Sequence, residues 1–247
     1  MSKSITDIYL THGLPDCDGD LSYEMRCGIS NPSEDVVELI WGRTDMYDHR
    51  GLSVYQSEEV NEDYLEPGEE SKLKLYPGYF NQSLVHETPE NVKASLTIAL
   101  CKAEVLEYPI LDLPKGFNNN LDPGEMDIPS MVGESLGISG MSLWANKPDE
   151  DGEVSISSRV VLTNKTSHHI YRCNIKARVV GANGREIAES VYESEVPYEG
   201  SAFAYIDIWN NLKPGQLAKA KLHLVFTVFP VVYLCTAEKF GSVFSSN

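Results

Sequence analysis

The stretch "DGEVSISSRVVLTN", Asp151–Asn164, decides the fold, because a close counterpart stands earlier in the chain. "DGDLSYEMRCGISN", Asp18–Asn31, precedes it by 133 positions. In the later stretch Val154, Ile156, Val160 and Leu162 stand at alternate positions, with Ser158 in the middle and polar or small residues between, Val161 apart. In the earlier one Leu21, Tyr23, Met25, Cys27 and Ile29 do the same. Alternation with period two is the mark of a strand with one buried face.

Working outward, each stretch runs into a turn, "SNPSED" or "TNKTSH", rich in Asn, Pro and Ser. A second strand is predicted after each, over Val36–Arg43 and Ile170–Val180. Asn183-Gly184 then signals a hairpin, and Gly51 serves the matching turn 133 positions earlier. "VKASLTIAL" (Val92–Leu100) pairs with "AKAKLHLVF" (Ala218–Phe226) at an offset of 126. The fall of seven places extra residues in the first copy, assigned to "SEEVNEDYLEPGEESK" as a long loop or elaborated strand edge. Short strands separated by turn signals, without helical periodicity, predict an all-β protein. The expected architecture is two tandem immunoglobulin-like antiparallel β-sandwich domains related by internal duplication. An acidic first domain spans 1–110, a Pro/Gly/Asn-rich linker 111–147 and a second domain 148–247.

The second unit reads V-x-I-x-x-x-V-x-L-x-N-x-[ST], an apolar strand, N-G, L-x-P-G and a final strand. This resembles the small immunoglobulin-like or fibronectin-like sandwiches of bacterial proteins, such as the FxLYD and CARDB types. The resemblance implies a binding or spacing module without catalysis, and it carries no functional residues with it.

The formal net charge is −17. Residues 1–110 hold 21 acids and 8 bases, 111–147 hold 5 and 2, and 148–247 hold 11 and 10. The first half would repel phosphates, so a nucleic-acid partner is not expected. Such a field keeps a protein soluble or draws in a basic protein partner. The N-terminus has no apolar run suited to a signal peptide, and Leu222–Cys235 is too short to span a bilayer. A cytoplasmic location without membrane association is expected. The five cysteines at 17, 27, 101, 173 and 235 are then read as free thiols. Cys27, Trp41 and Cys101 have the spacing of an immunoglobulin disulfide, so a Cys27–Cys101 bridge stands as the alternative.

No catalytic, zinc or phosphate-loop motif occurs, and neither an enzyme nor a cofactor is expected. Three groups are candidate sites. The first is the acidic segment, where Glu58, Glu59, Glu62, Asp63, Glu66, Glu69 and Glu70 supply a field. Tyr55, Tyr64 and Tyr76 supply aromatic anchors for a basic protein partner. A toxin-neutralising immunity or inhibitor protein, or an assembly factor, fits that description. The second is a basic stripe of Arg159, Arg172, Lys176 and Arg178, formed if the two strands pair. It is either a solvated outer face or a surface for homo-oligomers. The third is a pair of acidic triplets, Asp16, Asp18, Asp20 and Asp149, Asp151, Glu153. They are calcium ligands or solvated turns. They define the alternative function, a calcium- or carbohydrate-binding module in which Trp41, Trp144 or Trp209 stacks on sugars.

Overall fold

A computed structural model describes residues 4–13, 16–18, 20–81, 92–113, 129–217 and 219–240. Among the described residues the chain is almost entirely β, and every strand pair is antiparallel. It divides into two compact units, Met1–Lys102 with Val231–Asn247, and Ala103–Pro230. This corrects the expected boundaries. The last described strand belongs to the first unit, and the whole of the expected linker belongs to the second.

The first unit contains β1 (Ile5–His12), β2 (Asp20–Ser30), β3 (Leu39–Tyr47), β4 (Ser53–Asn61), β5 (Glu70–Asn81), β6 (Lys93–Cys101) and β16 (Val231–Phe240). One sheet has the order β1-β2-β5 and the other β16-β6-β3-β4. Met25, Cys27 and Ile29 of β2 share one core with Ile40 and Met46 of β3 and Leu96, Ile98 and Leu100 of β6. The predicted burial of alternate residues in Asp18–Asn31 therefore holds from Tyr23 to Ile29; the side chain of Leu21 lies outside the described residues.

The second unit contains β7 (Glu104–Glu107), β8 (Leu111–Asp112), β9 (Met131–Val132), β10 (Leu136–Ala145), β11 (Val154–Asn164), β12 (Ile170–Val180), β13 (Glu186–Val196), β14 (Ser201–Leu212) and β15 (Lys221–Val228). A single helical turn, α1 (Pro214–Leu217), precedes β15. One sheet has the order β9-β10-β11-β14; the other is β13-β12-β15-β7, with β8 also paired to β15. Val154, Ile156, Val160 and Leu162 of β11 pack with Cys173, Ile175, Ala177 and Val179 of β12 in one core. The residues 111–147 expected as irregular linker include three strands, β8, β9 and β10; residues 114–128 lie outside the described chain.

A matching set of bonds recurs in both units, at an offset of 133 for every partner but Leu65 and Val196, which stand 131 apart. Asn31 donates from Nδ2 to the carbonyls of Asp35 (2.8 Å) and Leu65 (3.1 Å), while its Oδ1 accepts from Ser33 N–H and O–H. Asn164 donates to His168 (2.8 Å) and Val196 (3.1 Å) and accepts from both donors of Thr166. The β3–β4 turn is closed by Asp48 N–H to Leu52 and Gly51 N–H to Asp48. The β12–β13 turn is closed by Gly181 N–H to Arg185 and Gly184 N–H to Gly181. Gly51 and Gly184 have φ of 78° and 74°, a region closed to most side chains.

Each sheet that contains the β3–β4 or β12–β13 hairpin is closed by a strand distant in sequence. β6 pairs with β16 from Cys101↔Val231 to Lys93↔Phe240. β15 pairs with β7 from Val228↔Glu104, and β8 extends that ladder to Lys221↔Asp112. The two-residue connectors Lys102-Ala103 and Phe229-Pro230 thus lead out of one unit and into the other. The apolar run Leu222–Cys235 is two strands in two units, and among the described residues no helix is long and apolar enough to cross a membrane.

Two further expectations change. The extra residues of the first copy do not lie chiefly in the acidic segment. Leu65 and Val196, equivalent through their bonds to Asn31 and Asn164, stand 131 positions apart, so that segment accounts for two of them. The remainder falls between β5 and β6, largely on 82–91, outside the described residues. The Cys27–Cys101 bridge does not form, and all five cysteines are free. Ala94, Leu96, Ile98 and Leu100 of β6 point into the core that holds Cys27, so Cys101 lies on the opposite face of the strand.

Candidate functional site: an acidic edge strand

By sequence count the first unit carries 20 acids against 9 bases, and the second 17 against 11. The excess is less one-sided than a division at residue 110 suggested, but the first unit still carries most of it. Its acids concentrate on β4 and the chain that follows. Among the described residues β4 is the outer strand of its sheet, paired on the β3 side. In register with Trp41 and Arg43 of β3, Val60 and Glu58 face outward. Val60 is 42% exposed, and Glu58 sits 3.8 Å from the Arg43 guanidinium. Arg43 is also held by both oxygens of Asp45, whose bonds push its pKa up.

After β4 the chain is pinned, not loose. Leu65 and Val37 exchange two backbone bonds of 2.9 Å, and the Leu65 side chain enters the core. Glu66-Pro67-Gly68-Glu69 forms a turn with Gly68 at φ 78°, closed by Glu69 N–H to the Glu66 carbonyl. Gly68 N–H and the Glu69 carbonyl then bond the backbone of Asn31. The local sequence supplies all the parts: an apolar Leu as anchor, and Pro-Gly for the turn.

The predicted residues divide as follows. Glu58, Glu62, Glu66, Glu69 and Glu70 are exposed along this strip, with Glu59 and Asp63 half-buried. Tyr64 is 63% exposed and stands among them. Tyr55 is half-buried and packs against the core, its position opposite Met46 turning it inward. The Tyr76 side chain lies outside the described residues. Val60 was missed; only its place on an edge strand reveals it.

The basic stripe is corrected. β11 and β12 belong to different sheets, so Arg159 does not join Arg172, Lys176 and Arg178. β12 pairs instead with the acidic β13, where Arg172 meets Glu193 at 3.0 Å and Lys176 meets Glu189 at 2.9 Å. Arg159 lies over the Phe203 ring, 5.6 Å from its centroid. Phe203 and its strand neighbour Tyr205, 59% and 61% exposed, were also missed, since exposure of alternate aromatics is not readable without the sheet.

The acidic triplets serve as turn caps. Asp16 Oδ1 accepts from Asp18 N–H, and Asp149 Oδ1 accepts from the N–H groups of Asp151 and Glu153. Glu153 pairs with Lys213 at 3.2 Å, and the Asp20 side chain lies outside the described residues. Among the described residues no three His, Cys, Asp or Glu side chains converge as a metal site. Of the tryptophans, Trp41 is 4% exposed and inaccessible to a sugar, Trp144 is half-buried, and the Trp209 side chain lies outside the described residues.

No protein-family model and no curated protein sequence matches the chain. Among solved structures, "pT26-6p" aligns over 92% of this chain and 65% of its own at 7% identity, TM-score 0.22. A beta-glucuronidase from glycoside hydrolase family 2 aligns over 96% and 26% at 12% identity, TM-score 0.28. The red sea bream transglutaminase aligns over 100% and 32% at 8% identity, TM-score 0.24. The chain spans less than two thirds of each of these chains, and scores at this level do not define a shared fold.

Proposed function

We propose that the protein is a non-enzymatic binding protein of two immunoglobulin-like sandwiches related by internal duplication. The acidic face of its first unit engages a basic protein. The recurrence at an offset of 133 of the Asn31 bonds to Asp35 and Ser33 as the Asn164 bonds to His168 and Thr166 supports the duplication. The binding reading rests on one observation: exposed Tyr64 and Val60 stand on a pinned edge segment, Glu58–Glu70, that carries five exposed glutamates. An aromatic anchor in a one-signed field suits association steered by charge and held by apolar contact. An immunity or inhibitor protein facing a basic toxin, or an assembly factor, works in this way. The test compares two baits in cell extract: the native chain, and a variant with Glu58, Glu62, Glu66, Glu69 and Glu70 changed to Gln. A basic protein retained by the first at low salt, and lost with the second, supports the proposal. Equal retention by both refutes it.

A second reading, carbohydrate binding without metal, is favoured by the Arg159, Phe203 and Tyr205 group on the outer face of β11 and β14. Retention on a glycan array that disappears in Phe203→Ala would favour it over the first.

A further inference from the structure

A two-residue hairpin needs a type I′ or II′ turn, with positive φ supplied by Gly, Asn or Asp. The four-residue turns at Asp48–Gly51 and Gly181–Gly184 have their glycines. The connectors that follow β6 and β15 do not. Lys102-Ala103 and Phe229-Pro230 contain no Gly, Asn or Asp, and Pro230 is locked near a φ of about −65°. Among the described non-glycine residues only Asp7 and Glu199 have positive φ. So neither β7 nor β16 turns back on the strand before it, and each unit receives its closing strand from the far side of a connector. β16 brings the first unit a nine-pair ladder, and Val232, Tyr233, Cys235 and Ala237 pack against its core. Ser4 Oγ donates to Tyr233 Oη at 2.9 Å.

Nothing in that ladder requires β16 to come from the same chain. In an exchanged pair β16 would meet β6 through the same contacts as in the single chain, so the choice falls to effective concentration. We propose that β16, Val231–Phe240, is a donor strand that a second copy of this chain supplies. When copies fold at high concentration, the first unit of one closes with β16 of another. Reciprocal exchange gives dimers, and unreciprocated exchange gives head-to-tail chains.

Thr97 and Thr236 are direct partners across the β6–β16 ladder. The test co-expresses two differently tagged copies, one carrying Thr97→Cys and the other Thr236→Cys. Only exchange between copies brings these positions together. The expected result is a disulfide-linked pair of about twice the 27.5 kDa chain mass, containing both tags, with the link mapped to positions 97 and 236 by mass spectrometry. In parallel, the native chain is refolded at micromolar and near-millimolar concentration and its mass read by light scattering. Monomer from the dilute sample and persistent dimer from the concentrated one is expected. Monomer at both concentrations with no mixed link overturns the proposal. So does a dimer whose tags copurify without the 97–236 link, since that dimer uses another surface.

Discussion

Asp7 and Gly140 occupy the same place in two β-bulges, 133 positions apart, with φ of 49° and 54°. The ladders around them match pair for pair. Thr6↔Gly28 and Tyr9↔Arg26 flank the first bulge, Ser139↔Val161 and Ser142↔Arg159 the second. Gly accepts this backbone freely, whereas Asp carries a Cβ into it. Asp7→Gly is therefore expected to stabilise the protein by about 0.5–1 kcal/mol. Gly140→Ala is expected to destabilise it by about 1–2 kcal/mol, since the new methyl would also meet Val161 Cγ2 at 3.1 Å. Urea unfolding midpoints at unchanged slope measure both. A stabilising Gly140→Ala would contradict the bulge.

Asn31 and Asn164 each tie the end of one strand to the turn before the next, through Asp35 or His168, and to a third segment, through Leu65 or Val196. Both side chains lie within the fold, where water does not replace a lost donor. Asn164→Ala is expected to cost about 1–3 kcal/mol, and Asn31→Ala a similar amount. Ser33→Ala and Thr166→Ala remove only a supporting hydroxyl and should cost less. The same urea series reads all four, and equal losses would mean that the amides are not the principal link.

These two pairs also mark what is legible in the chain. Asn31 and Asn164 stand out because they follow burial of alternate residues, from Tyr23 to Ile29 and from Ser158 to Leu162. The bulged strands do not. In β10 the buried apolar residues run Leu136, Ile138, then Met141, Leu143 and Ala145, so the parity changes at Gly140. That change hides the period, and Gly and Ser in "LGISGMSLWA" mimic a linker. The partner of a closing strand is likewise invisible, since alternation in β16 says which face is buried and not which edge it joins. At the candidate site, the exposed glutamates were readable from charge alone. The inward turn of Tyr55 needed the register with Met46.

Burial pushes the thiols of Cys27, Cys101 and Cys173 up to about 12, and that of Cys235 up to about 11, from an ordinary 9.0. The thiolate is the reactive form, and access is required as well. In native protein one thiol, the exposed Cys17, is expected to react rapidly with a disulfide reagent, the others only on unfolding. The same shifts set an alkaline limit. Folded thiols keep protons that unfolded ones lose above pH 9.0. Their contribution to stability is thus full below that pH and falls as pH rises toward about 12. Urea midpoints that stay level from pH 8 to pH 11 in the native chain would contradict this assignment.

The connectors give the sharpest test of why the strands cross between units. Changing Lys102-Ala103 and Phe229-Pro230 to Asn-Gly supplies both with the residues a two-residue hairpin requires. β7 can then fold back on β6, and β16 on β15, with no long excursion between paired strands. Local pairing closes a far shorter loop and so costs less chain entropy. In a chain carrying both Thr97→Cys and Thr236→Cys, oxidation links the two positions within the monomer while β16 lies on β6. With the Asn-Gly connectors that link is expected to fall at least tenfold, because β16 now lies on β15. If the link persists undiminished, connector chemistry does not direct the pairing. The cause then lies in the strands themselves, in the fit of Val232, Tyr233, Cys235 and Ala237 to the first unit's core.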